Sequence, residues 1–172
     1  SDLVCPVDIL DSRDDRTLPI VLGDSCLLPF ADGSFDIVLS NHVIEHVGDP
    51  LRHLLELRRV LRNGGVVYCA TPNRLFPFET HHRLWFLHFL PLQWFRHTAT
   101  WLGRSGEPFA IFTPFSLQRL CEEAGLEFHG YTAAILHDPQ RYHQDVGLAG
   151  RLPGNLRRRL WFMSPTTIAV LA

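Results

Sequence analysis

The stretch "SNHVIEHV" at residues 40–47 places two imidazoles and a carboxyl group within five positions, as His42-Val43-Ile44-Glu45-His46. On a continuing helix this H-x-x-E-H spacing would set both histidines on one face, as in a zinc hydrolase. Such a helix needs turns on both sides and a third ligand. Here the run "FDIVLS" ends just before, and Gly48-Asp49-Pro50 opens a new helix just after. Only about a turn and a half fits between them. The segment therefore reads as a connection whose polar groups face a crevice at the carboxyl end of a strand. A metal-dependent hydrolase using His42, Glu45 and His46 is the alternative. His81-His82 also invites a metal, but adjacent side chains rarely reach one ion, which favours pocket or surface roles. Arg157, Arg158 and Arg159 could hold a phosphate on a substrate or lipid, or form a solvated helix face.

The elements that would position these groups can be read from pattern. "LPIVLGD" (18–24) and "SFDIVLS" (34–40) are apolar, β-branched runs suited to buried strands, and the turn between them carries Pro29 and Asp32-Gly33. Asp49 is an N-cap, Pro50 fits the first helical position, and Leu51, Leu54, Leu55 and Leu61 form a stripe that ends at Gly64-Gly65. "VVYCAT" (66–71) follows as a strand, giving the strand-helix-strand unit of a parallel α/β sheet. Residues 74–112, crowded with Phe, Trp, His and Pro, read as an inserted cap. "SLQRLCEEAGL" returns to helical spacing through Leu117, Leu120, Cys121 and Ala124, stopped by Gly125. "EFHGYTA" (127–133) and "TTIAVLA" close the chain as strands.

With 172 residues, 46% hydrophobic and 20% charged, the chain suits a single domain with a sizeable core. A net charge of −2 gives no global electrostatic case for nucleic acid. Cys5, Cys26, Cys69 and Cys121 form no C-x-x-C pair and suit a reducing, cytoplasmic setting. "LWFLHFLPLQWF" is too short to span a bilayer and is interrupted by His88, Pro91 and Gln93. No stable membrane insertion is expected, although contact with lipid is compatible with the composition.

The string "GDSCLLPFADGSFDIVLSNHVIEHVGDPLRHLLELRRVLRNGGVVYCATPN" resembles the class I S-adenosylmethionine-dependent methyltransferases, of the bacterial small-molecule, methyltransferase type 11-like group. The likeness extends from about residue 4 to the end. It implies a Rossmann-like α/β sheet, mostly parallel with a reversed last strand, and S-adenosylmethionine as cofactor. Gly23-Asp24 looks like the family's strand end whose carboxylate accepts from the adenine amino group, with Ser25 and Cys26 nearby; Asp24 could also be a turn residue. Asp8 would take the ribose hydroxyls, with Asp11 as competitor. Asn41 and His42 fall where the family lines the methionine part of the cofactor. Glu45-His46 is similar to a metal pair of some superfamily members, and the alternatives are hydrogen bonding at the corner or His46 as a general base. The segment after "TPN" resembles the family's acceptor pocket, which implies roles toward a small-molecule acceptor for Asn73, Phe76, His81 and Trp85.

The family's first strand and glycine-rich loop have no counterpart here, so the resemblance implies an N-terminally truncated methyltransferase domain. Three arrangements could follow. The chain is part of a longer product, "SDLVCPVDI" fills the empty place, or another protomer does so in a homo-dimer through the incomplete sheet. Pro6 disfavours the second. A non-catalytic methyltransferase-like binding module is the competing function.

Overall fold

The structure is a computed structural model that describes residues 4–9, 20–79, 84–85, 110–143 and 151–172. Two short strands, β1 (Val7–Asp8) and β2 (Val21–Leu22), pair in parallel. The principal sheet contains β3 (Phe35–Asn41), β4 (Leu61–Pro72), β7 (Phe128–Gly130) and β8 (Thr166–Leu171), in the order β3-β4-β8-β7. β3 and β4 are parallel, while β8 runs antiparallel to both β4 and β7. This gives the expected reversed final strand. A third pairing joins β5 (Phe78–Glu79) to β6 (Leu84–Trp85).

The helices are α1 (Pro50–Val60), α2 (Pro114–Glu123), α3 (Thr132–His137) and α4 (Gly154–Arg159). Asp49 caps α1 by accepting from the Arg52 amide at 3.0 Å, with Pro50 in the first turn as the sequence suggests. Thr113 and Ser116 make a capping box on α2. One face of the sheet presents Val67, Cys69, Ala169 and Leu171 to Leu54 and Leu57 of α1 and to Leu117 and Cys121 of α2, forming the buried core. On the other face, Ile37 and Leu39 of β3 remain 63% and 72% exposed. Among the described residues β3 is also a sheet edge.

Three boundaries differ from the sequence reading. α1 stops at Val60, before the glycines, because Leu61 is already extended and pairs with Phe35. Gly64 then takes φ +79°, and a Cβ on Gly65 would lie 2.7 Å from the Asp36 carbonyl, so the glycines shape the entry to β4. The inward face of α1 carries His53, Glu56, Leu57 and Val60, whereas Leu55 is exposed. β7 ends at Gly130 because Thr132 opens α3, and its hydroxyl accepts from the Ile168 amide at 2.8 Å.

Candidate cofactor and acceptor site

At the end of β3, the His42 amide donates to the Ala70 carbonyl at 2.8 Å, and His42 then turns the chain at φ 55°. That left-handed conformation is uncommon for a side chain other than glycine. The turn aims the imidazole back at Glu45, with Nδ1 3.1 Å from Oε1. The Thr71 hydroxyl donates to the other carboxyl oxygen at 2.9 Å, and the Ala110 amide donates to the Glu45 carbonyl at 2.8 Å. Glu45 is 1% exposed, so a buried acid joins the ends of β3 and β4 to the lead into α2. A carboxyl group at Nδ1 favours the tautomer with hydrogen on Nδ1, leaving the Nε2 lone pair on a half-exposed ring.

A second arrangement joins the end of β2 to the end of β3. The Asp24 carboxyl accepts from the Cys26 amide at 2.8 Å, and the Asp24 carbonyl accepts from the Leu27 amide, forming a tight turn. Behind the turn, buried His53 donates from Nδ1 to the Ser25 carbonyl at 3.2 Å. Because Nδ1 faces a carbonyl, Nε2 is left to accept from the Ser40 hydroxyl at 3.0 Å. Burial lowers the basicity of His53, while the Ser25 carbonyl and Asp24 oppose that shift. A neutral imidazole therefore holds the loop after β2 against the last turn-side residues of β3. Arg52 adds a bond to the Cys26 carbonyl at 3.3 Å, and the Asp8 carbonyl accepts from the Gly23 amide at 3.0 Å. Gly23 has a packing reason to be glycine, since a Cβ would lie 3.1 Å from the Pro29 ring.

Beneath this turn, Glu56 accepts from the Leu28 amide at 2.9 Å and from both Nε and Nη2 of Arg59. Arg59 also donates to the Leu28 and Phe30 carbonyls and to Asp32. Sequence reasoning missed His53, Glu56 and Arg59 as organisers of the site. Their signal was polar residues at the same three- and four-residue spacing as Leu57 and Val60.

The structure thus joins Asp8, Gly23, Asp24, Ser25 and Cys26 around the end of β2, and through His53 ties Ser25 to Ser40, the residue before Asn41 and His42. His46 follows on the same corner, exposed, with its amide bonded to the Val43 carbonyl. Asn73 is buried at the end of β4. Its amide donates to the Phe162 and Ser164 carbonyls, at 2.7 and 2.8 Å, and its oxygen accepts from the Leu75 amide. At 4% exposure it latches the end of β4, with both side-chain hydrogens engaged. Phe76 is half-buried just beyond it. Trp85 contributes backbone to β6, and His81 lies outside the described residues, as does most of 74–112. Among the described residues no group of three or more His, Cys, Asp or Glu is disposed to hold a metal ion.

Asp8 and Asp24 are both exposed, and carboxyl groups accept hydrogen bonds from hydroxyl and amino groups. Comparison with known proteins agrees on the fold. Residues 7–69 match the methyltransferase domain family. A demethylmenaquinone methyltransferase of Bacillus velezensis is 33% identical over 128 residues, 69% of this chain and 54% of that protein. A ubiquinone biosynthesis O-methyltransferase of Cereibacter sphaeroides is 33% identical over 101 residues, 58% of this chain and 37% of its own length. The matched part thus spans about half or less of these curated relatives. The crystal structure of an S-adenosylmethionine-dependent methyltransferase from Mesorhizobium loti superposes with a TM-score of 0.57 at 15% identity, covering 97% of this chain and 78% of that one.

Proposed function

We propose that this chain, which has the fold and sequence signature of the class I S-adenosylmethionine-dependent methyltransferases, binds that cofactor along its strand-end lip and supports methyl transfer to a small-molecule acceptor. The observation that carries the reading is the His53 bridge. By holding Ser25 on one side and Ser40 on the other, it ties the turn after Asp24 to the strand that leads into Asn41 and His42, which supports the reading.

In this reading Asp8 accepts from the ribose hydroxyls. Asp24, with Gly23, Ser25 and Cys26, holds the adenine end, and Asn41 and His42 line the methionine part. The bound cofactor supplies an already electrophilic methyl group, so positioning contributes much of the rate. His46 serves as general base where the acceptor has a proton to lose. Phe76, His81 and Trp85 belong to the acceptor side, and Asn73 supports it as a latch. The names of the two relatives favour an acceptor of the quinone-biosynthesis kind, in keeping with the aromatic composition of 74–112.

Among the described residues no strand pairs with the outer edge of β3, and this edge, with exposed Ile37 and Leu39, supports self-association through the sheet. Four free cysteines, two of them buried, support a reducing, cytoplasmic setting.

Calorimetric titration with S-adenosylhomocysteine, repeated on Asp24→Ala, tests the reading. Micromolar binding that is lost in the variant is the expected result. Absence of heat and of competition with a labelled cofactor analogue would overturn it and favour the binding-module alternative.

A further inference from the structure

Residues 151–163 read "RLPGNLRRRLWFM", with four arginines and no acidic residue in a chain whose net charge is −2. They fold as α4 followed by a 3₁₀ turn at Trp161–Met163. The polarity of this segment is inverted. Arg157 turns inward and donates to the Leu136 and His137 carbonyls at 2.8 and 3.3 Å, and half-buried Trp161 meets the exposed Phe115 edge-on at 5.9 Å between ring centroids. The outward side carries Leu152, Leu156 and Leu160, spaced by four, with Phe162 and Met163; each is 37–42% exposed. Arg151, Arg158 and Arg159 are exposed in the same segment. Arg158 and Arg159 also line a hollow of about 520 Å³ with Ala133, Asn155 and Trp161.

We infer that this face docks on an anionic lipid bilayer. An interfacial segment needs cationic groups level with the headgroups and apolar side chains that enter the acyl boundary, and residues 151–163 expose both kinds of side chain within thirteen positions. The hollow, with two guanidinium groups and an amide, suits a phosphate-bearing headgroup. Four of the five outward apolar side chains, Leu152, Leu156, Leu160 and Met163, are poor stacking partners for bases, which disfavours nucleic acid. A second copy of the chain would bring arginines against arginines across a two-fold axis. No described helix is long and apolar enough to cross a membrane. Asn73 bonds to Phe162 and Ser164, so the docked face is fixed to the end of β4.

Vesicle co-sedimentation tests the inference and does not depend on cofactor binding. The chain is expected to bind phosphatidylcholine vesicles containing one third phosphatidylglycerol well above phosphatidylcholine alone, with binding weakened at high salt. Arg158→Gln/Arg159→Gln should lower affinity for the anionic vesicles roughly thirty-fold, the equivalent of about 1 kcal/mol per arginine. Leu156→Ser/Leu160→Ser should remove the part of binding that survives high salt. Unchanged thermal melting shows that each variant remains folded. Equal binding to neutral and anionic vesicles, no binding to either, or arginine-dependent capture of duplex DNA in preference to the vesicles would overturn the inference. So would dimerisation through this face, seen as concentration-dependent mass lost in the leucine variant.

Discussion

The Thr71 hydroxyl donates to the Glu45 carboxyl group across 2.9 Å, and His42 approaches the opposite oxygen at 3.1 Å. Since Glu45 and Thr71 are both essentially inaccessible, each bond stands in for water that cannot reach the site. Thr71→Val keeps the shape but leaves a buried carboxyl oxygen short of a partner. Urea denaturation should show a loss of about 1–3 kcal/mol. A change within experimental error would mean that Glu45 is hydrated and that the corner is looser than described.

His53 should make the protein sensitive to mild acid. Burial holds its folded basicity below the usual histidine value of 6.5, so the unfolded chain takes up a proton first as pH falls. Stability is therefore full above 6.5 and declines below it, through the lowered folded value. Protonation would also put a donor on Nε2, opposite a Ser40 hydroxyl that currently donates to it. His53→Gln should remove this mild-acid decline while weakening S-adenosylhomocysteine binding, since Ser25 would be less well held. A melting curve that is flat with pH in the parent protein would refute the bridge.

Glu56 gives a separate decline at stronger acid. The hydrogen bond from Arg59 holds its pKa below the usual 4.5, more than offsetting burial, and the Leu28 amide acts in the same direction. The stabilisation is present above that usual value and is lost as pH falls through the lowered one. Glu56→Gln should cost about 1.5 kcal/mol at neutral pH, an amount typical of a hydrogen bond to a charged group. Its difference from the parent should vanish in strong acid, as measured by denaturant titration at several pH values. A difference that persists unchanged there would point to lost packing instead.

Much of the frame was legible because it follows local rules. Asp49-Pro50 starts α1 as capping chemistry requires, and the continuous apolar run 66–71 lies in the interior strand β4. The reversed β8 was implied by the family resemblance and not by its own apolar pattern. Polar clamps were harder to read. A histidine at position 53 looks like an ordinary helix residue until tertiary structure sets Ser25 and Ser40 at its two nitrogens, residues 28 and 13 positions away. Asn73 followed a strand end, where ligands bind, yet the return of the chain at Phe162 and Ser164 engaged its amide. Such partners depend on long-range closure that no local period encodes. The exposure of Ile37 and Leu39 likewise could not be inferred from an apolar strand pattern, which suits burial on both faces.

Thiol chemistry can test the core and the candidate cofactor lip in one experiment. Cys69 and Cys121 are fully buried, and burial pushes both thiols up to about 12, so little thiolate forms at neutral pH. Cys26 is half-buried in the turn after Asp24; burial and the nearby Asp24 carboxylate raise its thiol as well. A disulfide-exchange reagent should modify Cys5 and, more slowly, Cys26 in the native protein. The remaining two of the four cysteines should react only upon unfolding. Peptide mapping of quenched samples would establish the order. If the lip holds a nucleoside as proposed, S-adenosylhomocysteine should slow labelling at Cys26 and leave Cys5 less affected. Rapid reaction of Cys69 and Cys121 would contradict the packing of the sheet against α1 and α2. Normal core protection with no ligand effect at Cys26 would leave the fold intact while locating any bound cofactor away from this turn.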